Sequence, residues 1–397
     1  MPDIRLDRTF WPVGHGAFYT ERFFNHGDNN GFTAIYDCGG KDQAVVQRII
    51  DQIILHDNHV DYLFISHFHR DHINGLRYLL TKAQVDHIVI PQIEETRLVE
   101  SYIYNAITAT DINDVNDDAQ FFIRRQLYTR DLRVESIIEV ESNTEEDINQ
   151  ESHRNGRSQY IPSGHPIYIP ANSHAPYWIY IPVNIDYDKT KRQKLIAALN
   201  KICTDCAEKP IIESGFINWN SIDAILNKKM EEVKDAYKQV FQSHNAYSMP
   251  VFSGPVIGTH ISWRLYDCDF FNDYAEQYYW FEWRFCRHHL FGRKLLSCLY
   301  MGDFEASTPD NLFKLERLLK EYYYVTGLLQ VPHHYSKYNH DIDLYEDHIL
   351  AFGNVNDHKD VSFCHSVYNE ISRATYLPPL IITEKDSPKR IEYDVFV

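Results

Sequence analysis

Hydrophobic positions along this chain fall into two textures, and the first is regular. Phe32-Thr-Ala-Ile-Tyr-Asp-Cys-Gly-Gly40 is a mostly apolar run closed by paired glycines, which predicts a buried strand ending in a tight turn. Val45, Val46, Ile49, Ile50, Ile53 and Ile54 recur at helical spacing within 41–56. Val60-Asp-Tyr-Leu-Phe-Ile65 predicts a second buried strand, and a helix opens between Gly75 and Leu80. The N-terminal order is strand, strand, strand, helix, strand, as in an α/β protein.

From about 92 to 245 the texture changes. Helical segments near 189–202 and 219–242 alternate with a strand pair near 159–183 and with a polar, acidic stretch, Glu141 to Arg157, that reads as a loop. Regular patterning returns in Leu295-Leu-Ser-Cys-Leu-Tyr-Met-Gly-Asp303, a strand running into a loop. A helix over 309–323, the run from Gly327 to His334, and strands at 348–353 and 379–383 follow. We read 1–397 as one α/β domain in which about 92–245 is mostly an insertion or cap, expected to cover or flank the functional cleft.

Composition narrows the class. With 44% hydrophobic residues, a sizeable core is within reach and wholesale disorder is excluded. No stretch approaches the ~18–20 apolar residues that cross a bilayer. The start, Met-Pro-Asp-Ile-Arg-Leu, lacks a secretory pattern. The cysteines are odd in number and scattered, with one isolated Cys203-Thr-Asp-Cys206, so no disulfide framework is expected. These features predict a cytoplasmic protein with no membrane association. A net charge of −17 argues against a stand-alone binder of long duplex DNA, which needs a basic face.

The chemistry is concentrated in His67-x-His69-x-Asp71-His72, placed where a predicted strand ends and a helix begins. Strand residues alternate in direction, so His67 and His69 can face one ion. Beyond the turn, Asp71 and His72 can face a second. Imidazole and carboxylate donors suit zinc, manganese or iron.

These residues resemble the signature of the metallo-β-lactamase superfamily, which implies an αββα sandwich, here with a large mid-chain insertion. Asp37-Cys-Gly-Gly40 is similar to the family's strand-ending Asp-x-Gly, and Gly302-Asp303 to the Gly-Asp whose carboxylate bridges two metals. The closest resemblance is to the hydrolase domain of the bacterial DNA-uptake channel protein, the competence type. It rests on Val13-Gly-His-Gly-Ala17, Asn245-Ala-Tyr-Ser248, Val331-Pro-His-His-Tyr-Ser-Lys337, and Asn356 followed by His365-Ser366. It covers roughly 8–92 and 245–385. The sequence departs from that pattern at Tyr335, where the branch has glycine, and a ring there is expected to narrow the approach to the metals.

The resemblance implies two divalent ions, zinc or manganese, held by His67, His69, Asp71, His72, Asp303 and His334. A third histidine for the first metal is open among His165, His174, His244 and His260, with His244 preferred. Asp71 and His333 are the expected catalytic residues, His333 as a transition-state contact. Asp37 is the expected partner behind the ligands. Lys337, Asn245 and His365 are expected at the substrate, with Arg284, Arg287 and Arg293 as further cations for phosphates.

The implied activity is that of a phosphodiesterase or nuclease acting on single-stranded nucleic acid or nucleotides. A protein partner that delivers or gates the substrate is expected, and stand-alone relatives with such insertions resemble effectors of bacterial defence systems. Hydrolysis of a small ester, lactone or thioester uses the same metals, and an interaction protein with a vestigial site is the non-enzymatic alternative.

Overall fold

The computed structural model describes residues 4–25, 31–55, 58–92, 94–109, 133–142, 158–169, 177–186, 189–241, 248–259, 261–268, 289–356 and 358–396. The chain opens with strands β1 (Ile4–Phe10), β2 (Phe18–Asn25) and β3 (Phe32–Cys38), then helix α1 (Gln43–Ile54), capped by Asp42 accepting from the Ala44 amide at 2.8 Å. Strand β4 (His59–Phe64) leads into the short helix α2 (Arg70–Ile73), then α3 (Leu76–Lys82), β5 (Gln84–Pro91) and α4 (Glu95–Thr108). Next come β6 (Val134–Val140), β7 (Ser158–Ile161), β8 (Ile167–Tyr168), β9 (Trp178–Pro182) and α5 (Lys189–Asp205). A small hairpin of β10 (Ile212–Glu213) and β11 (Phe216–Ile217) precedes α6 (Trp219–Val240).

Strands β12 (Val251–Pro255) and β13 (Ser262–Cys268) then precede α7 (His289–Leu296), β14 (Cys298–Tyr300) and α8 (Pro309–Leu319). After the one-turn α9 (Glu321–Tyr324), the chain closes with β15 (Leu328–Gln330), β16 (Leu350–Val355), α10 (His358–Ala374), β17 (Leu380–Thr383) and β18 (Lys389–Phe396).

Two mixed sheets form the middle layers. One has the order β13-β18-β1-β2-β3-β4-β5-β6-β7 and the other β17-β16-β15-β14-β12-β9-β8. Each switches from antiparallel to parallel pairing, at β3/β4 in the first and at β14/β15 in the second. Strand alternation sorts the side chains into layers. Ala34, Tyr36, Tyr62 and Phe64 face the second sheet and pack with Tyr180, Tyr300 and Phe352. Ile35 and Leu63 point outward under α1, α3, α4, α5 and α6. The far face of the second sheet packs Leu299, Leu329 and Ala351 against Leu315 of α8 and Ile371 of α10. The layering is helices, sheet, sheet, helices, as expected.

A buried polar network pins the sheets to each other. Glu21 of β2 takes Arg8 at 2.7 Å and accepts from Tyr180 (2.8 Å), Ser253 (2.6 Å) and Tyr300 (2.9 Å), which all stand on the second sheet. Both carboxylate oxygens are saturated with donors, which offsets their burial, while Arg8 Nη1 is left without a hydrogen-bond partner among the described residues.

Several sequence expectations need correction. The strand pair near 159–183 is not one unit: β7 extends the first sheet beside β6, while β9 runs in the second sheet between β8 and β12. Part of the stretch 92–245 is therefore sheet scaffold, and α4, α5 and α6 pack together on the outer face of the first sheet. Leu295 and Leu296 end helix α7 instead of starting a strand, and the helix expected over 309–323 breaks at Lys320, where φ is +54°. Most of the acidic stretch 141–157 lies outside the described residues. Cys203 and Cys206 are free thiols at the end of α5. No helix among the described residues is long and apolar enough to cross a membrane.

Candidate metal centre

The ligand-bearing loops leave the carboxyl ends of β4, β14 and β15, each of which has a parallel neighbour, the edge where α/β sheets gather ligands. After β4, Ser66 donates its amide and its hydroxyl to Asp37, both at 2.7 Å, which fixes the start of the motif. His69 sits at the N-cap of α2, so Asp71 and His72 share one helical turn. Two glycine segments press against this turn. A Cβ on Gly39 would lie 2.3 Å from the Asp71 carbonyl oxygen, and one on Gly16, where φ is +121°, would lie 2.2 Å from it.

From the second sheet, Asp303 follows β14 and His333-His334 follow the neighbouring β15. Gln330 accepts from the Met301 and Gly302 amides (2.9 and 3.0 Å), and Ser248 accepts from the Asp303 amide at 2.9 Å. His333, His334 and Tyr335 all carry positive φ, a left-handed turn tied down by the His333 amide donating to the Gly302 carbonyl at 3.0 Å.

The side chains converge in two groups. Donor atoms of His67, His69 and Asp303 lie within 4.8 Å of one another, and so do those of Asp71, His72 and His334. Asp303 stands between the groups. Its Oδ2 faces His67 Nε2 and His333 Nε2, each at 3.7 Å. Its Oδ1 faces His72 Nε2 at 3.3 Å and His334 Nε2 at 3.5 Å. Asp71 Oδ2 lies 3.8 Å from His72 Nε2 and 3.6 Å from His334 Nε2. These spacings exceed hydrogen bonds and match donors that share a cation at ~2.0–2.2 Å each.

The ring nitrogens divide the same way. Nδ1 of His72 is bonded to Asp37 (2.8 Å), Nδ1 of His67 to Ser66 (2.9 Å) and Ser248 (3.2 Å), and Nδ1 of His334 to the Asn354 carbonyl (3.1 Å). Their Nε2 atoms, with Asp303 Oδ1, are buried with no hydrogen-bond partner among the described residues. Buried polar atoms left this way are costly unless something binds them, so this donor set fits a pair of divalent ions.

Electrostatics agree with that assignment. Burial, then the charges of His72 and His69, hold His67 well below the ordinary histidine range, so its ring is neutral and keeps a lone pair. Burial alone would raise Asp303, but His333, His72 and His334 outweigh it and keep the carboxylate ionised. Burial opposes a charge on His72, yet Asp303, Asp71 and Asp37 outweigh it and push the ring upward. Positive charge is favoured at the centre of this cluster.

The structure thus brings together His67, His69, Asp71, His72, Asp303, His333 and His334, with Asp37 behind them. Tyr335 does not narrow the approach: its ring is buried among residues of the second sheet's outer face, and its hydroxyl donates to Leu380 at 2.8 Å. Lys337 is exposed three residues beyond His334, and His365 is exposed on α10. Arg293 is turned elsewhere, donating to the Val256 and Thr259 carbonyls. His165 is exposed in a turn outside both ligand groups. His174, His244, Asn245, His260, Arg284 and Arg287 lie outside the described residues.

Some neighbours were not foreseen. His15 stacks on His334 with ring centroids 5.0 Å apart, held by its amide donating to Asn356 at 2.9 Å. Tyr104 stacks on His69 at 3.8 Å, and Glu100 reaches the same histidine from α4. Another trio, His59, Asp61 and Asp86, stands at the opposite end of β4 and β5, partly exposed and already hydrogen-bonded. A cavity of about 460 Å³ lined by Lys294, Phe313, Tyr323, Asp343 and His348 shares no residue with the cluster.

Comparison with known proteins agrees with the geometry. Residues 27–184 match the Metallo-beta-lactamase superfamily model. No curated protein matches the chain. The crystal structure of the metallo-beta-lactamase fold protein YhfI from Bacillus subtilis aligns over 99% of this chain and 99% of its own, at 7% identity and a TM-score of 0.37, a likeness too distant to carry further argument. Residues 27–184 are thus similar to the metallo-β-lactamase superfamily, within a mixed α/β fold with additional elements, and that similarity together with the clustered His and Asp donors suggests a metal-dependent hydrolase.

Proposed function

We propose that this chain is a two-metal phosphodiesterase or nuclease acting on single-stranded nucleic acid or nucleotides in the cytoplasm. The observation that carries the reading is the position of Asp303, one carboxylate oxygen toward each ligand group. When bound, a pair of zinc or manganese ions supplies a Lewis acid and a water activated near neutral pH, the chemistry suited to in-line phosphoryl displacement.

The residues divide the work. His67, His69 and Asp303 would hold one ion, and Asp71, His72 and His334, with Asp303, would hold the other. His333 has one nitrogen 3.7 Å from Asp303 and a side chain 20% exposed, so it reaches both the cluster and an incoming substrate. That position suits a donor to a non-bridging phosphate oxygen, whose loss costs ~10²–10³ in rate. Lys337 lies over the Tyr338 ring at 4.8 Å, and Tyr338 is 64% exposed. An exposed cation beside an exposed ring suits a nucleotide's phosphate and base. The charge of −17 favours short or single-stranded substrates, or a protein partner that delivers them.

The test is hydrolysis by zinc- or manganese-loaded protein of single-stranded DNA, RNA, duplex DNA and bis-p-nitrophenyl phosphate, beside a lactone and a thioester. The proposal expects phosphodiester cleavage that favours single strands and stops with a chelator. Turnover confined to the lactone or thioester would reassign the substrate, and a loaded protein inert on every substrate would point to a vestigial site.

A further inference from the structure

Three of the four clustered ligand histidines are held from behind by the sheet scaffold: His72 by Asp37, His67 by Ser66 and Ser248, and His334 by the Asn354 carbonyl. His69 is different. Its Nε2 faces Glu100 Oε1 at 3.9 Å, and Glu100 stands on α4, 6% exposed. Tyr237 of α6 donates to that same carboxylate oxygen at 2.6 Å. Tyr104, one turn further along α4, lies flat on the His69 ring with centroids 3.8 Å apart and planes 20° apart. One face of the imidazole is covered by a ring and one edge meets a buried carboxylate.

We propose that Glu100 is the positioning residue of the first metal site, accepting the His69 Nε2 proton so that Nδ1 is the nitrogen presented to the ion. The proposal rests on the two-metal reading. A carboxylate behind a ligating histidine fixes which nitrogen carries the proton, sets the ring's angle and raises the basicity of the other nitrogen. Closing 3.9 Å to a charge-assisted hydrogen bond takes a ring shift of about 1 Å. Tyr237 keeps Oε1 aimed at His69, as Ser66 keeps Asp37 aimed at His72. The consequence is specific to this chain: the first site depends on helices α4 and α6, so docking of those helices and metal affinity are linked.

Glu100→Ala and Glu100→Gln test this through metal binding instead of turnover. Chelator competition on the full chain should show the first site weakened ~10–100-fold in Glu100→Ala with the second unchanged, the range for losing a partner behind a ligand. Glu100→Gln keeps an acceptor oxygen and should lose only severalfold. In cobalt(II)-loaded protein, the hyperfine-shifted exchangeable proton of His69 should vanish in Glu100→Ala and return in Glu100→Gln, which a purely structural role would not produce. If Glu100→Ala does not fold, Glu100→Gln decides alone, and wild-type affinity at both sites in it overturns the proposal. So does a folded Glu100→Ala within twofold of wild type at both sites, while leaving the two-metal reading intact. Wild-type protein that takes up no metal removes that reading and the proposal with it.

Discussion

Asp37 Oδ2 and His72 Nδ1 meet at 2.8 Å, and neither side chain has any exposure to solvent. Asp37 has φ of +53°, which asparagine tolerates better than other non-glycine residues. Asp37→Asn therefore removes the charge with little added backbone strain. We expect a ~10–100-fold loss of metal affinity at the site His72 serves, with the fold retained. Isothermal titration with zinc checks this, and unchanged affinity would detach Asp37 from the site.

Gly16 is where the opening turn touches the motif. An alanine there adds a Cβ 2.2 Å from the Asp71 carbonyl and 2.6 Å from Gly40 Cα, at a φ of +121°. Gly16→Ala should cost about 3 kcal/mol or more through strain and forced displacement, and should lower metal content as Asp71 moves. Gly215 is the control: φ is +78°, but nothing lies within 4 Å of an added Cβ. Gly215→Ala should cost only about 1–2 kcal/mol and leave metal content alone. Chemical denaturation and metal analysis of both variants separate the two outcomes.

The adjacent histidines should fail differently. His334 Nε2 faces both Asp71 and Asp303, whereas among the described residues His333 Nε2 faces Asp303 alone and its side chain is more exposed. His334→Ala should lose one metal. His333→Ala should keep both metals and lose ~10²-fold or more in turnover. Equal metal loss in the two variants contradicts the division of roles.

Much of this centre was legible because its chemistry is local. His67 to His72 lie in one strand-to-helix turn, and Gly302-Asp303 and His333-His334 each follow an apolar run. Glu100 was not legible. It is one of 56 acidic residues, sits mid-helix, and becomes part of the site only when α4 docks beside α6, a tertiary fact with no sequence signal. His15 stands between two glycines in Val13-Gly-His-Gly-Ala17, and nothing in that pattern signals its ring contact with His334. Strand β18 carries a sequence signal, since Ile391, Tyr393 and Val395 alternate with polar residues and are buried in the core between the sheets. No strand is expected at β6, and β7 falls within the expected insertion because patterning identifies a strand but not the sheet it joins.

Outside the metal centre, His348 gives a pH dependence. Burial pushes it down to about 4, and its Nδ1 donates to the Glu346 carbonyl at 3.0 Å. Its folded value lies below its unfolded one, so the unfolded chain binds the proton first. The neutral ring's contribution is whole above about pH 6.5 and is lost as pH falls toward 4. His348→Asn keeps a donor for Glu346 without the titration. The difference in melting temperature between wild type and this variant should shrink across that window, and a constant difference would contradict the assignment.

The most direct test of the account is the number of metal ions bound by purified protein loaded with zinc or manganese, counted by inductively coupled plasma mass spectrometry in wild type and Asp303→Ala. Asp303 faces both ligand groups. The account predicts two ions per wild-type chain and loss of both in the variant, while wild-type protein without bound metal, or a variant that keeps two ions, would contradict it.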